Sequence, residues 1–502
     1  MAEREFDAIV IGAGPAGEVA AGRIAEGGLD VALVEQELVG GECSFWACMP
    51  SKALLRPEEL LNEVRRVPGL PLSDAGLDAA RILERRDEVV HDFDDSAQIP
   101  WLEEHGIVLF RDRGVLAGER RVEVGDDVLT ARRAVIVATG TLSSTPPIEG
   151  LADVGAWSNR EVTAAKSVPE SLIVLGGGVV GVEMAQAWSS LGSRVAIVES
   201  AERLILREEQ FASEQVADAL RECGVDVRLG AEAVRIGGGH GDPVSVELAG
   251  GERLEAQHLL VAVGRTPRVE GIGLESVGIE PHGPLEVDDR MRVGGRDWLY
   301  AVGDVNGRAL LTHMGKYQAR AAADNVLGED ATATLQGQDS PRVIFTDPEV
   351  AAVGHTLASA LEAGIDARAV EVSTAGNAGA SFHGRDAVGT CRLVVDERRG
   401  VVCGATFTGP DANELLHAAT IAVVAEVPLD RLWEAIPRLP DPQRDLAQAA
   451  REVRPLAREP GTHLPRFAQT VSLGLISSRN SRGNPGRSSS SSTEAKPVPR
   501  SR

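Results

Sequence analysis

Apolar residues in this chain fall into short, near-continuous runs that are repeatedly followed by glycines. Unbroken apolar runs of that length suit strands buried on both faces of a parallel sheet. Phe6 to Ile11 is the first; Gly12, Gly14 and Gly17 follow, then a helical stretch to about Glu26, then a second strand from Asp30 to Val34 ending at Glu35. Residues 76–106 are charged and periodic, which predicts one or two solvent-faced helices with an apolar stripe. Ala134 to Ala138 reads as a strand running into Thr139 and Gly140. The pattern then repeats. SLIVLGGG begins at Ser171 and leads through Gly176, Gly178 and Gly181 into a helix to about Leu191, followed by the strand RVAIVE ending at Glu199. This second unit continues through HLLVAVGRTP near residue 267, and Leu299 to Asp304 predicts another strand whose end meets a ligand.

From about residue 341 the pattern changes. CRLVVD and VVCGATF are β-prone, and Asn413 to Val424 is an apolar helix. The predicted fold class is α/β: two Rossmann-like dinucleotide-binding units followed by a mixed α/β domain. After about residue 470 the chain is rich in Ser, Pro and basic residues with little to bury, which predicts disorder.

Length and charge narrow the function classes. A chain of 502 residues exceeds a single ordinary core. Its formal charge of -24 opposes non-specific binding to nucleic acid or anionic membranes. No apolar run is long enough to span a bilayer, and the start MAEREFD is acidic rather than basic, so a cytoplasmic protein without a signal peptide is predicted. Only 5 cysteines occur, too few for a structural disulfide framework in this length.

The glycines carry candidate chemistry. In the first unit Gly12 permits a sharp turn, Gly14 permits close approach of a pyrophosphate, and Gly17 lets helix and strand pack tightly. The helix start offers free N–H groups to phosphate, and Glu35 is placed to accept from an adenosine ribose. Gly176, Gly178, Gly181 and Glu199 repeat the arrangement. An acid at the second strand's end favours ribose hydroxyls over a 2′-phosphate, so NADH is preferred to NADPH; Arg203 and Arg207 downstream are the residues that would reverse this. The competing reading, a ligand-free βα turn with a surface acid, leaves the ordered strand–glycine–helix–strand–acid series unused.

Between the two fingerprints lies GGECSFWACMPSK, with Cys43 and Cys48 five positions apart. In one regular helix that offset turns the side chains about 140° apart. A disulfide therefore needs an irregular first turn, which Gly40 and Gly41 make available. A helix start and Lys52 lower a thiol pKa, which suits both attack on a substrate and charge transfer to a flavin. No second Cys or His pair accompanies them, which argues against a metal site. Cys223, Cys391 and Cys403 read as core thiols.

GAGPAG, GGECSFWACMPSKALL, VATG, LGGGVVGVE, VAVGRTP, AVGDVNG and VIFTDPEVAAVG together resemble the pyridine nucleotide–disulfide oxidoreductases, the group of dihydrolipoamide dehydrogenase, glutathione reductase and mercuric reductase. The resemblance covers about residues 5–460. It implies an FAD-binding domain (1–150 and 271–340) interrupted by an NAD(P)-binding domain (151–270), then a dimerisation domain (341–465) of a homodimer, with 466–502 as tail. By that resemblance Cys48 is the flavin-proximal thiol, Cys43 the distal interchange thiol, and Lys52 with Glu183 an ion pair beside flavin and nicotinamide. Asp304 binds the ribityl–phosphate region of FAD, and Gly41, Thr139, Gly140, Gly264 and Gly303 fall in motifs that contact the cofactors.

One departure stands out. The family's disulfide reductases donate a His–Glu dyad to the neighbouring subunit's cysteines from a run like HAHPTxxE. The comparable stretch here is EAIPRLPDPQRDL, with Leu439 and Arg444 nearest those roles and no histidine in 425–470. A leucine cannot exchange a proton with a thiolate; His313, His417 and His383 are the residues that would have to substitute. The reading is an FAD-containing, NAD(P)H-linked oxidoreductase that reduces a small-molecule acceptor other than lipoamide or glutathione disulfide. A quinone reductase using flavin directly, a dithiol oxidase and a non-catalytic flavin-binding subunit are the alternatives.

Overall fold

The computed structural model describes residues 3–70, 76–374, 380–384, 387 and 389–436. The expected tail, and with it Leu439 and Arg444, lies outside the described residues.

The first strand, Glu3–Ile11, is central in a sheet where Val31–Val34 and Val108–Phe110 lie to one side and Asp127–Val137 to the other. All four run parallel. Leu299–Ala301 pairs in parallel with the end of Asp127–Val137, while its beginning pairs with the antiparallel strand Arg121–Val124. The apolar runs read from sequence are buried here on both faces: Ala8 to Val10 and Ala32 to Leu33 have no solvent exposure at all. Helix α1 (Pro15–Glu26) crosses one face beside the helix Thr312–Leu327, and alanines at their contact let the two approach closely.

The second unit is a parallel four-stranded sheet in the order 226–228, 194–198, 171–175, 258–261, with the helix Val179–Ser190 buried against it and a three-stranded antiparallel sheet alongside. HLLVAVGRTP, read as the continuation of the second unit to near residue 267, holds two strands. His258–Val261 belongs to the second unit, and Arg265–Pro267 pairs antiparallel with Thr141–Ser143. Those two short strands are the chain's exit from the first unit and its return, so the second unit is an insertion in the first.

The third unit is a five-stranded antiparallel sheet covered by the helix Ala412–Val424. That helix buries Leu415, Leu416, Ala419 and Ala422 in its own domain and leaves Ile421 and Val424 about half exposed. Residues 76–106 form the helices Ala79–Val89 and Ile99–Glu104, as the periodicity predicts. Cys391 is buried in the third sheet, but Cys223 is exposed, so the expectation of a core thiol fails there: it caps the exposed end of the helix Gln210–Glu222. Among the described residues no helix is long and apolar enough to cross a membrane.

Candidate active site

The two glycine loops are built alike and divide their glycines by task. A Cβ on Gly12 would strike the Ala138 carbonyl, and one on Gly17 would strike the Gly12 carbonyl. Gly176 and Gly181 stand in the same relation to Ala262 and Gly176. These four glycines serve the protein's own packing. Gly14 and Gly178, by contrast, would meet nothing within 4 Å, and both stand at the N-cap of a helix whose first residues line the cleft. The open space sits where a dinucleotide pyrophosphate needs it, so both loops fit such a group.

The acids at the strand ends are alike too. Glu35 accepts from the Ala13 amide (2.7 Å) and the Glu37 amide (2.8 Å). Glu199 accepts from the Gly177 amide (2.5 Å) and the Ala201 amide (2.7 Å). Each carboxylate is thus fixed against its own glycine loop with lone pairs left for a ribose. Arg203, a residue that would oppose NADH, is turned into its own loop, donating to the carbonyls of Leu206 (2.7 Å) and Glu208 (2.9 Å). Arg207 is exposed and lines the cleft.

Cys43 and Cys48 are not on one helix. Cys43 lies in the short helix α2 (Gly41–Phe45) and Cys48 opens α3 (Cys48–Arg66), with Trp46 and Ala47 breaking the path between them. Gly40 and Gly41 do supply the left-handed entry, at φ 111° and 57°. A second bend follows Cys43, at Trp46 and Ala47. It is held from outside: Asn159 donates to the Trp46 carbonyl (2.9 Å) and to Glu42 (2.6 Å), and Arg160 joins Glu42 (2.6 Å) while lying 4.2 Å over the Trp46 ring. The double bend places the two thiols on one cleft, where each acts on the other's proton.

That mutual influence divides their chemistry. The Cys48 thiol is brought down to about 6, first by the hydrogen bond from Cys43, against the cost of burial, and further by the Thr312 hydroxyl and the Lys52 charge. Cys43, as the donor beside a thiolate, is pushed up. Thr312 Oγ1 is 3.3 Å from Cys48 Sγ. Beneath them Lys52 Nζ binds both oxygens of Glu183 (2.7 and 3.0 Å), and the Phe345 amide donates to Glu183 (3.0 Å).

Asp304 lies in the 3₁₀ turn Gly303–Asn306, where burial raises its carboxyl and the Thr141 hydroxyl donates to it (3.1 Å). Arg265 ties the linker together, donating to the Thr141 hydroxyl (2.6 Å) and to Asn159 (3.1 Å). Gly303 is fixed by its amide donating to Gln318 (2.9 Å), and Thr139 donates to the Arg268 carbonyl (2.7 Å). Gly41 packs on Gly14, where an added Cβ would sit 2.8 Å from its Cα. One cleft of about 3180 Å³ is lined by Gly12, Gly14, Glu35, Gly41, Cys43, Cys48, Lys52, Thr139, Gly140, Gly176, Gly178, Glu183, Glu199, Gly264, Gly303 and Asp304. Gly17 and Gly181 stand behind it as packing residues.

Of the three histidines, His313 is next to Thr312 but spends Nε2 on the Pro341 carbonyl (2.8 Å). His417 lines the cleft from the helix Ala412–Val424, and His383 lies 3.6 Å from Asp411. The cation that acts on Cys43 is Lys316. Sequence reading missed Thr312, Lys316, Asn159 and Arg265. Thr312 is 264 positions from Cys48, and no local pattern announces such a partner.

Residues 6–323 match the family described as pyridine nucleotide-disulphide oxidoreductase, and residues 340–450 match that family's dimerisation domain. A dihydrolipoyl dehydrogenase of Haloferax volcanii is 32% identical over 88% of this chain and 95% of its own length. A mercuric reductase of Bacillus cereus is 30% identical over 84% of this chain and 67% of its own. Among solved structures, the HOCl-induced flavoprotein disulfide reductase RclA of Escherichia coli, as a Cu(II) complex, superposes with a TM-score of 0.79 at 27% identity, covering 90% of this chain and 100% of that one. The chain therefore belongs to the pyridine nucleotide–disulfide oxidoreductases, FAD- and NAD(P)H-linked enzymes with two Rossmann-like domains and a dimerisation domain.

Proposed function

We propose that the enzyme uses NADH to reduce a small acceptor other than lipoamide or glutathione disulfide, through the Cys43–Cys48 pair. The observation that carries this reading is the asymmetry of the two thiols beside one cleft that holds both glycine loops. FAD, when bound, would supply the hydride-accepting chemistry that links the nicotinamide to the thiols as a two-electron couple. Glu35, Gly14 and Asp304 would hold it, with Gly41, Thr139, Gly140 and Gly303 shaping its bed. Glu199, Gly178 and Gly264 would hold the nicotinamide nucleotide.

The protein's own part is to keep Cys48 a thiolate and Cys43 a thiol poised to exchange. With a disulfide acceptor, Cys43 gives up its proton as its sulfur attacks one acceptor sulfur; the acceptor S–S bond breaks and the leaving thiolate takes up that proton, through water. Cys48 thiolate then attacks Cys43 sulfur, the second acceptor thiolate leaves, and the pair remains as a disulfide. Lys52 and the buried Glu183 form a part-exposed ion pair beside Cys48; the lysine charge favours its thiolate and the glutamate opposes it.

The missing histidine in 425–470 bears on the acceptor. General acid–base help is typically worth about 10²–10⁴-fold, so lipoamide and glutathione disulfide should turn over poorly. The same absence favours a second reading, in which a quinone takes electrons without thiol protonation. Because relatives are named for mercuric ion reduction and for a Cu(II) complex, a thiophilic metal ion also belongs among the acceptors to be tried. A steady-state panel with NADH against lipoamide, glutathione disulfide, quinones, Hg²⁺ and Cu²⁺, repeated with Cys43→Ser, tests the reading. Turnover of lipoamide at hundreds per second would overturn it. Quinone activity that survives in Cys43→Ser would move the electron exit away from the thiols.

A further inference from the structure

We infer that Lys316 makes the mouth of Cys43 selective for an anionic acceptor, a disulfide or thiol carrying a carboxylate or a similar charge; this rests on Cys43 being the exchange thiol, as proposed above. The helix Thr312–Leu327 places Thr312, Lys316 and Arg320 on one face, four positions apart. Thr312 Oγ1 lies 3.3 Å from Cys48 Sγ and lines the same cleft as Cys43. One turn on, Lys316 lines the same cleft and acts electrostatically on Cys43. Its position is set by the backbone: Gly315 packs so closely on the first turn of α1 that an added Cβ would lie 3.3 Å from the Ala16 side chain and 3.2 Å from Gly303 Cα. Lys316 is therefore carried over the entry to α1.

Its charge is left uncancelled. Among the described residues Lys316 has no carboxylate within ion-pair distance. The acid that does act on it through space, Glu18 on α1, is raised to about 7 by burial and so is only partly ionised at neutral pH. One turn further, Arg320 is exposed, while Asp324 beyond it is already paired with Arg23. A chain of formal charge -24 thus presents Lys316 in the cleft of its distal thiol, with Arg320 one turn further along the same helix. An anion approaching Cys43 meets the attractive field of both, and a cation is repelled.

The test reads Cys43 alone and does not require the natural acceptor. The FAD-loaded enzyme, reduced with a phosphine, is alkylated with iodoacetate (anionic) or iodoacetamide (neutral), and modification of the Cys43 peptide is timed by mass spectrometry. The iodoacetate/iodoacetamide rate ratio is expected to fall about three- to tenfold in Lys316→Gln, further in Lys316→Glu, and to fall likewise in wild type at high salt. Arg320→Glu, a surface change that spares folding should either Lys316 variant prove unstable, should lower the ratio more weakly. A parallel change in kcat/KM is expected for an anionic over a cationic aromatic or aliphatic disulfide. An alkylation ratio unmoved by Lys316→Glu and Arg320→Glu overturns the inference. Bleaching of the wild-type flavin by NADH tests the proposed function separately. If NADH fails to reduce the enzyme while the ratio still falls, the anion site stands and the function does not.

Discussion

At the scale of single residues, the division of labour among the glycines is the feature most open to attack. Gly14 sits at φ -71°, ψ 177°, a conformation any residue adopts, with free space in front of it. Gly14→Ala should fold with unchanged apo stability yet bind FAD more weakly. Gly17→Ala should instead cost stability, ~1–3 kcal/mol by the usual scale of overpacking, because its Cβ meets the Gly12 carbonyl. Thermal melts of the apo proteins and FAD titration check both, and equal destabilisation by the two changes would refute the division. Glu199 makes a second residue-scale prediction. With Arg203 bound to its own loop, wild type should prefer NADH, and Glu199→Ser should narrow the kcat/KM ratio of NADH over NADPH. These roles were legible in the sequence because each acts within its own βα turn. Thr312, Lys316 and Asn159 were not, since each reaches the cysteines only through the tertiary fold.

At the scale of elements, α3 carries both Cys48 and Lys52, and it packs against the helix Val179–Ser190 that carries Glu183. Further along the same interface Glu58 is buried; one of its oxygens has no partner, and the other accepts only a long contact from the Cys223 thiol (4.0 Å). Burial raises Glu58 to about 7. A raised acid favours the fold while it is protonated: the benefit is whole below its unfolded value of 4.5 and is lost as pH rises through about 7. Glu58→Gln should therefore stabilise the protein at pH 8, by ~1–3 kcal/mol, and have little effect at pH 4.5. Denaturant melts at the two pH values measure this, and an effect independent of pH would contradict it. The glycine fingerprint located the second helix and the cysteine run only the start of α3, and neither could show that a carboxylate would point into their contact. Nor could they show the Trp46–Ala47 break, because the force that bends the chain there comes from Asn159 and Arg160, more than a hundred positions away.

At the scale of the whole molecule, the order of the units was legible: the inserted second unit leaves and returns through the paired strands Thr141–Ser143 and Arg265–Pro267. The half-exposed Ile421 and Val424 lie on a helix inside the region that matches the dimerisation domain. Light scattering at micromolar concentration should give twice the chain mass of 52.9 kDa, and a persistent monomer would count against a dimer. The central claim is narrower, that Cys48 is a thiolate held against the flavin while Cys43 does the exchange. Its thiol, lowered to about 6, keeps the charged form above that pH and loses it as pH falls through it. The most direct measurement is anaerobic NADH titration of the FAD-loaded wild type, Cys43→Ser and Cys48→Ser enzymes, following long-wavelength absorption between pH 5 and 8. The account predicts a thiolate-to-flavin band in wild type that fades as pH falls through about 6, survives in Cys43→Ser and is absent in Cys48→Ser. A band that persists in Cys48→Ser, or its absence from reduced wild type at pH 8, would contradict it.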